Sequence, residues 1–359
     1  MIDFKTLFGR GAAPLAGLDI STSSVRLVEL ARGARGAIRL ERYAAEPLPR
    51  GAVVDGNIEN MDQVVEVVRR LWKTSGARAR LAALGMPPAA VITRKLILPA
   101  GLSEDQLEVQ VESEAGQYVP YALDEACLDF DVLGPAANAP GDIEVMLAAA
   151  RREKVEDRVA IAEASGLKAT VLDIDSYAAR AALARLTAQR IHAGAGRVMA
   201  LFQIGAQATH ISIVRDGVAI YEDEKPFGGN SLTQDIGRAY GMGFDEAEAR
   251  KKAGDLPDNY AAELLAPFFE SAALEVTRAI EFFYASTPYG RVDQLFLAGG
   301  CALMPGLLEL VAGRTRIASA VISPFKGMQL GASVREAQLR SAAPAYLVAC
   351  GLALRRFDS

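Results

Sequence analysis

Short apolar runs divide the start of the chain into strands and a helix. Runs at about 15–20, 25–30 and 38–44, separated by a Ser/Thr turn and by Gly33–Gly36, predict three strands of a meander. Over 61–74, valines, a leucine and a tryptophan recur at helical spacing, which predicts an amphipathic helix packed against that sheet.

Residues 86–165 carry a separate pattern of strand, helix, two strands and helix. The first strand closes at Pro99, and Ser103 with Gln106 forms a capping-box pair before the first helix. A loop rich in Pro and Gly separates the next two strands. The block therefore predicts a small inserted α+β domain.

The second half begins with three predicted strands, at 197–204, 208–214 and 218–224. Asp216-Gly217, between the last two, is a strong hairpin signal. Beyond them the pattern predicts helices, a strand at 292–298 and a final apolar helix at 345–355.

Composition bounds the class of protein. The chain has 359 residues, 51% of them hydrophobic, and a net charge of -5, so we expect more than one core and no nucleic-acid partner. The three cysteines are far apart and not in metal-ligand spacing, which favours a reduced, cytoplasmic protein. No apolar tract is long enough to predict a membrane span. Met1–Arg10 is not a signal peptide, but its two Phe and two basic residues would suit a membrane surface as well as a loose tail.

Two stretches share one layout of strand, small-residue turn and strand. They are Ala16–Leu30, with its turn at Ser21–Ser24, and Leu201–Ile213, with its turn at Gly205. Backbone N–H groups in such turns can surround a phosphate, and a glycine permits close approach. Each hairpin alone is more often an ordinary turn, but the recurrence in both halves favours paired phosphate loops.

Two further features are candidates for ligand contact. Gly299-Gly300 lies between a strand and a helix, where it either forms a sharp turn or lets the backbone lie flat against a base or phosphate. Glu248 and Lys251 lie three residues apart on a predicted helix, as either a solvated ion pair or a pair that holds a ribose.

These stretches resemble the actin and sugar-kinase superfamily. Gly17–Arg26 is similar to its first phosphate motif, Gln203–Thr209 to its second and Leu297–Gly300 to its adenosine motif. Other stretches resemble the PilM family of type IV pilus assembly proteins, namely Gln117–Tyr121, Phe227–Thr233 followed by Ala247-Glu248, and Cys350–Arg355. The likeness covers essentially the whole chain in motif order.

The resemblance implies an α/β, actin-like (ribonuclease H-like) two-lobed fold with a small inserted α+β domain, placed as in the cell-division protein FtsA. The expected first lobe comprises 1–85, 166–192 and 340–359. The inserted domain is expected at 86–165. The second lobe is expected at 193–339, with a helical subdomain at about 235–290.

The resemblance also implies ATP with Mg²⁺ as the ligand. The nucleotide-binding residues it implies are Ser21, Thr22, Ser23, Ser24, Arg26, Gly205, Gln207, Thr209, Gly229, Glu248, Lys251, Gly299 and Gly300. On the metal side it implies Asp19 and Gln203.

One residue departs from the superfamily pattern. The second phosphate motif usually begins with Asp, but here it begins with Gln203, which brings no charge to Mg²⁺. Strand-end and helix-cap roles suit Asp173 and Asp175 better than that of a general base. We therefore assign no catalytic residue and expect nucleotide binding with little or no hydrolysis.

By resemblance, the expected function is that of a scaffold at the cytoplasmic face of the inner membrane. Its expected partner is the N-terminal cytoplasmic tail of PilN, bound between the first lobe and the inserted domain. Other inner-membrane pilus components and self-association are also expected. The alternatives are an active ATPase or sugar-kinase-like phosphotransferase, and a polymerising bacterial actin.

Overall fold

The computed structural model describes residues 13–33, 36–188 and 196–358. Its strands are β1 Leu15–Ile20, β2 Ser24–Arg32, β3 Ile38–Pro47, β4 Val53–Val54, β5 Asn57–Ile58, β6 Leu81–Met86, β7 Val91–Pro99, β8 Ala126–Pro135, β9 Asp142–Arg151, β10 Lys168–Ile174, β11 Val198–Ile204, β12 Thr209–Arg215, β13 Val218–Lys225, β14 Gln294–Ala298, β15 Ser319–Val321 and β16 Gln329–Leu330. Its α-helices are α1 Met61–Ser75, α2 Glu104–Ala115, α3 Arg152–Ala164, α4 Asp175–Ala188, α5 Gly229–Tyr240, α6 Phe244–Ala253, α7 Ala266–Ser286, α8 Leu307–Thr315, α9 Glu336–Arg340 and α10 Leu347–Leu354.

The chain divides into two compact units. The first contains the described residues of 1–27, 44–175 and 355–359, and the second those of 28–43 and 176–354. The predicted lobes follow the resemblance to the actin-like fold, whereas these two units are defined by compactness. The lobe boundaries therefore remain a prediction. None of the helices in the described part of the chain combines the length and apolarity needed to cross a bilayer. The predicted membrane contact of Met1–Arg10 falls outside the described residues.

The first unit is built on parallel strands β10, β6 and β1, with β2 beside β1. Leu84 of β6 is level with Leu18 of β1 and Leu172 of β10. Helix α1 covers this sheet with a stripe of buried valines, leucine and tryptophan, as predicted. It begins after Asn60, whose side chain accepts a hydrogen bond from the Gln63 amide, and ends at Gly76 in the left-handed region.

Residues 91–151 form what we call the three-stranded subdomain. Its antiparallel strands follow the order β7-β9-β8, and α2 packs on one face through Leu107, Val111 and Ala115. The predicted capping box is present, since Ser103 and Gln106 exchange side-chain to backbone hydrogen bonds. Helix α3 follows β9 and places Ile161 and Ala162 in the core that also contains the buried residues of α1.

The second unit contains a five-stranded sheet in the order β13-β12-β11-β14-β15. Asp216 and Gly217 join β12 to β13, and both have positive φ (52° and 84°). This is the backbone that a tight hairpin requires, so the predicted turn is confirmed. Helix α7 packs its apolar face into the core of this unit, which includes Phe202 and Phe283.

Helices α4 and α10 approach each other very closely within the second unit. Every residue from Leu347 to Ala353 is buried, which matches the predicted apolar helix. Gly351 lies against α4, where a β-carbon would be only 1.8 Å from the carbonyl oxygen of Ala178. Only glycine permits this backbone contact.

Candidate functional site

The first predicted phosphate loop is a tight turn at the end of β1. The Ser21 amide donates to the Ser24 carbonyl oxygen at 3.1 Å, and the Ser21 hydroxyl donates to the same oxygen at 2.9 Å. Ser23 at its tip is exposed, while Thr22 and Ser24 are half-buried. The turn therefore presents small hydroxyl side chains on a backbone that two hydrogen bonds hold in place.

Asp19 and Arg26 flank this turn on its two strands. Asp19 is buried, and Arg26 Nη1 lies 3.4 Å from its Oδ2 and 3.3 Å from Ser21 Oγ. The guanidinium therefore neutralises the carboxylate and touches the turn at the same time. The structure thus brings together the predicted metal-side carboxylate, the predicted basic contact and the first loop.

The second predicted loop is bound to the start of α5. Gly229 and Asn230 donate their amides to the carbonyl oxygens of Gly205 and Ala206, at 3.0 and 2.8 Å. The Thr209 hydroxyl donates to the Phe227 carbonyl oxygen at 2.7 Å. The Gly229 amide and the Thr209 hydroxyl are therefore already used within the chain, and they order the loop that leaves Gln207 exposed.

Glu248 and Lys251 form a partly buried cluster with Thr233 of α5. Lys251 Nζ lies 2.6 Å from Glu248 Oε2 and 2.6 Å from Thr233 Oγ1, and Thr233 donates to Glu248 at 2.6 Å. Lys251 also donates to the Gly229 carbonyl oxygen at 3.3 Å. Because its side chain is only 10% exposed, this is not a solvated ion pair, and it connects α6 to the start of α5.

The cluster sets the charge of Glu248. Burial alone would raise the pKa of this carboxyl, but hydrogen bonds from Lys251 and Thr233 and the charges of Lys251 and Lys252 outweigh burial and lower the pKa below its ordinary value of 4.5. Glu248 is therefore ionised at neutral pH, in contact with an ammonium group.

Because the folded-state pKa of Glu248 is lowered, its stabilising effect is present above the ordinary pKa and is lost as pH falls through the folded value. Glu248→Gln should therefore lower the free energy of unfolding at pH 7, and the difference between the two proteins should shrink as the pH falls through the lowered pKa of Glu248. Urea denaturation over a series of pH values measures this. Glu246→Gln is the matched control, because Glu246 pairs with Arg250 in the same helix but both side chains are exposed. A pH-independent difference for Glu248→Gln would contradict the prediction.

The two glycines of the third predicted loop differ in environment. Gly299 is buried with φ +88°, and a β-carbon there would lie 2.2 Å from the Ile204 carbonyl oxygen. Gly300 is exposed, and a β-carbon there would meet nothing within 4 Å. Gly299 therefore lets β14 pass close to β11, whereas Gly300 leaves open space in front of the backbone.

Two residues of this region were not identified from sequence. Thr233 belongs to a stretch noted for its family resemblance, but only the fold shows that it links Glu248 and Lys251. Cys301 follows Gly300 and lies against Gly229, where a β-carbon would be 2.8 Å from its sulfur. Burial raises the pKa of the Cys301 thiol to about 11, so the thiol stays protonated and acts as packing.

Gln203 and Asp173 lie at strand ends of separate units. Gln203 is half-buried on β11, level with His210 of β12, and His210 Nδ1 lies 3.0 Å from Glu224 Oε2. Asp173 accepts from the Ile174 amide at 2.8 Å and pairs with Arg355 at 3.2 Å, which fits its expected strand-end role. Over the ranges that the structure describes, no three His, Cys, Asp or Glu side chains come close enough together to hold a metal ion by themselves.

Comparison with protein families settles the relationship. The family model described as type IV pilus assembly protein PilM matches residues 17–357. The chain belongs to the PilM family. The stretches that resembled this family in sequence lie within the matched region, after α2, at the start of α5, in α6 and at the end of α10.

Solved structures agree with this PilM-family assignment. The chain is 25% identical to a chain of the PilM-PilN type IV pilus biogenesis complex, with a TM-score of 0.80, covering 97% of this chain and 100% of that one. It is 17% identical to the ethanolamine utilization protein EutJ from Carboxydothermus hydrogenoformans, with a TM-score of 0.53 and coverages of 94% and 88%. It is 12% identical to a diol dehydratase-reactivating factor in nucleotide-free form, with a TM-score of 0.53 and coverages of 96% and 100%. The predicted actin-like α/β fold is confirmed.

Proposed function

We propose that this chain is a nucleotide-binding scaffold of the type IV pilus assembly complex at the inner membrane, and that it holds the N-terminal cytoplasmic tail of PilN. The observation that carries the proposal is the match over the full length of a chain from a PilM-PilN complex, at 25% identity and a TM-score of 0.80. A chain of this family that binds PilN would be attached to the membrane through that partner.

The PilN tail is tested by direct binding. A synthetic peptide of the tail should bind the full chain, and a scrambled peptide of the same composition should not. Isothermal titration with and without ATP would show whether nucleotide changes the affinity. Equal binding of the native and scrambled peptides, or binding of neither, would contradict the proposed partner.

Within the second unit, the arrangement around α5 supports nucleotide binding. Lys251 and Glu248 are held by Thr233, and Gly300 leaves uncovered backbone with open space before it. A polar cluster and an open glycine suit a ribose and a base, since both groups need hydrogen bonds and close approach. Within the first unit, the serine turn and Arg26 have a chemistry that suits phosphate oxygens.

Mg²⁺ could be held here with few protein ligands. The ion usually retains waters and needs one or two carboxylates beside the substrate phosphates, so Asp19 and the phosphates would hold it. When bound, the ion would neutralise phosphate charge. Gln203 would offer only a neutral oxygen, so it would orient water poorly, and we propose slow or absent hydrolysis.

Gln203→Asp should increase the Mg²⁺ dependence of ATP binding, because it adds an anionic oxygen to a hard cation's surroundings. A Mg²⁺ titration of ATP affinity, with a melting curve for each variant, measures this. Gln294→Asp is the matched control, since Gln294 is at the opposite end of β14 from Ala298, which pairs with Gln203. A folded Gln203→Asp protein with the wild-type Mg²⁺ response would show that this side chain does not face the metal. A phosphate-release assay on the same variants would detect any gain of hydrolysis.

A further inference from the structure

Exposed apolar side chains concentrate in the three-stranded subdomain. Among the described residues, eleven large hydrophobic side chains are more than a third exposed, and five of them are in this subdomain of 61 residues: Ile97, Val109, Tyr118, Val132 and Leu133. Val109 of α2, at 68%, is the most exposed of all eleven. The five residues lie on different elements of the subdomain, and Val109 is the one on α2.

The same subdomain carries a strong negative charge. Residues 91–151 contain eleven Asp and Glu residues and three basic residues, Arg94, Lys95 and Arg151, a net charge of -8. The whole chain has a net charge of -5, so the remainder of the chain carries -5 minus -8, or +3. The negative charge is therefore local to one subdomain, and a partner would meet it there.

Helix α2 has a charge pattern that weakens it as an isolated helix. It contains five acidic residues and no basic one, and Glu104, Glu108 and Glu112 follow one another at i, i+4 spacing. All three are exposed and run along the flank of the buried stripe that contains Leu107 and Val111. Like charges at this spacing repel one another and destabilise a helix. Lys or Arg side chains placed between them would reduce that repulsion.

Val109 lies on the outward side of α2, opposite the buried Leu107 and Val111. Asp105 precedes it by four residues and Glu112 follows it by three, so carboxylates lie one helical turn away in both directions. The face thus combines one exposed apolar contact with surrounding negative charge. A phosphate-rich ligand such as nucleic acid or an anionic lipid surface would be repelled by it.

We propose that the outward face of α2 docks a Lys/Arg-rich segment of another protein, with an apolar side chain of that segment packed on Val109. Charge complementarity decides the occupant, because a basic peptide pairs with Asp105 and Glu112 while its apolar side chain covers Val109. The inference goes beyond the proposed function and does not depend on nucleotide or on the PilN tail.

The docking face is tested with two matched charge variants of the full chain. Asp105→Asn with Glu112→Gln removes the two charges that lie beside Val109 on the α2 face. Asp129→Asn with Asp131→Asn removes two from β8, where both residues alternate with Phe130, a residue that packs into the core. The two variants therefore change net charge equally on different faces of one subdomain.

The probe is a short synthetic peptide of alternating arginine and leucine, with a lysine-free acidic peptide as its negative control. The α2 variant should weaken arginine-peptide binding about tenfold, and the β8 variant about twofold or less, with wild-type affinity falling as salt rises. Equal weakening by the two variants would mean general charge attraction and would overturn the docking face. No binding by the wild type would overturn it as well.

Val109 provides an independent test in piliated cells. A photo-crosslinking residue at Val109 should capture an identified pilus assembly protein through a Lys/Arg-rich segment mapped by mass spectrometry. The same residue at Ile97, which is also exposed, at 58%, should not capture that segment. Cross-links from Val109 to a second copy of this chain, to a segment without basic residues, or equally from both positions would overturn the proposal.

Discussion

Replacing Gly351 by alanine should destabilise the chain by about 3 kcal/mol or more, because the new methyl group would be forced into backbone that cannot move aside. A β-carbon at this position would lie 1.8 Å from the Ala178 carbonyl oxygen and 2.3 Å from its carbonyl carbon. Relief would require α10 to separate from α4, which would loosen the packing of its buried side chains. Urea denaturation of both proteins measures the loss.

Gly313→Ala is the matched control for this prediction. Gly313 is an exposed residue of α8, and a β-carbon there would meet nothing within 4 Å. Alanine has the higher helix propensity, so this change should leave stability unchanged or raise it by up to about 1 kcal/mol. Similar stability of the two variants would show that α4 and α10 do not pack as closely as described.

The second large effect is expected at Gly300, where valine should weaken ATP binding about tenfold or more, a loss of about 1.4 kcal/mol. The space before Gly300 is open, so the branched side chain would meet the nucleotide rather than the protein. The melting temperature without ATP should therefore stay close to that of the wild type. ATP titration and ATP-induced thermal stabilisation together separate a binding defect from a folding defect.

Gly290→Val is the matched control, because it introduces the same side chain at another exposed glycine with open space around it. It lies in the loop before β14, away from the predicted nucleotide residues. Gly299→Ala marks the opposite case, because its steric conflict with Ile204 should reduce stability even without ligand. Unchanged ATP stabilisation in Gly300→Val would remove this loop from the nucleotide site.

Local chemistry made much of the fold predictable from sequence. The Asp216-Gly217 turn, the capping box at Ser103 and the apolar stripe over 61–74 each depend on residues close together in the chain. Contacts between residues far apart in the chain were harder to predict. Helix α3 follows the strands of the three-stranded subdomain in sequence, yet Ile161 packs in the neighbouring core, and no local pattern distinguishes those two destinations.

The candidate site illustrates the same limit. Motif spacing identified Glu248 and Lys251, but only the fold shows that Lys251 is largely buried and that Thr233, fifteen residues away from Glu248, contacts both. Gly229 was predicted to contact nucleotide, whereas its amide is bound to Gly205. A sequence motif specifies which residues meet, but only the fold shows which of their hydrogen-bonding groups remain available.

The composition of the second unit has a consequence for protein synthesis. This unit comprises 28–43 and 176–354, with α10 as its last helix, so it is complete only after the ribosome has translated α10. Domains that are continuous in sequence can fold while the ribosome is still elongating, but this one must wait. A premature stop before Leu347 would leave the apolar surface of α4 uncovered, and such a chain should be a substrate for chaperones and proteases rather than a shorter working protein.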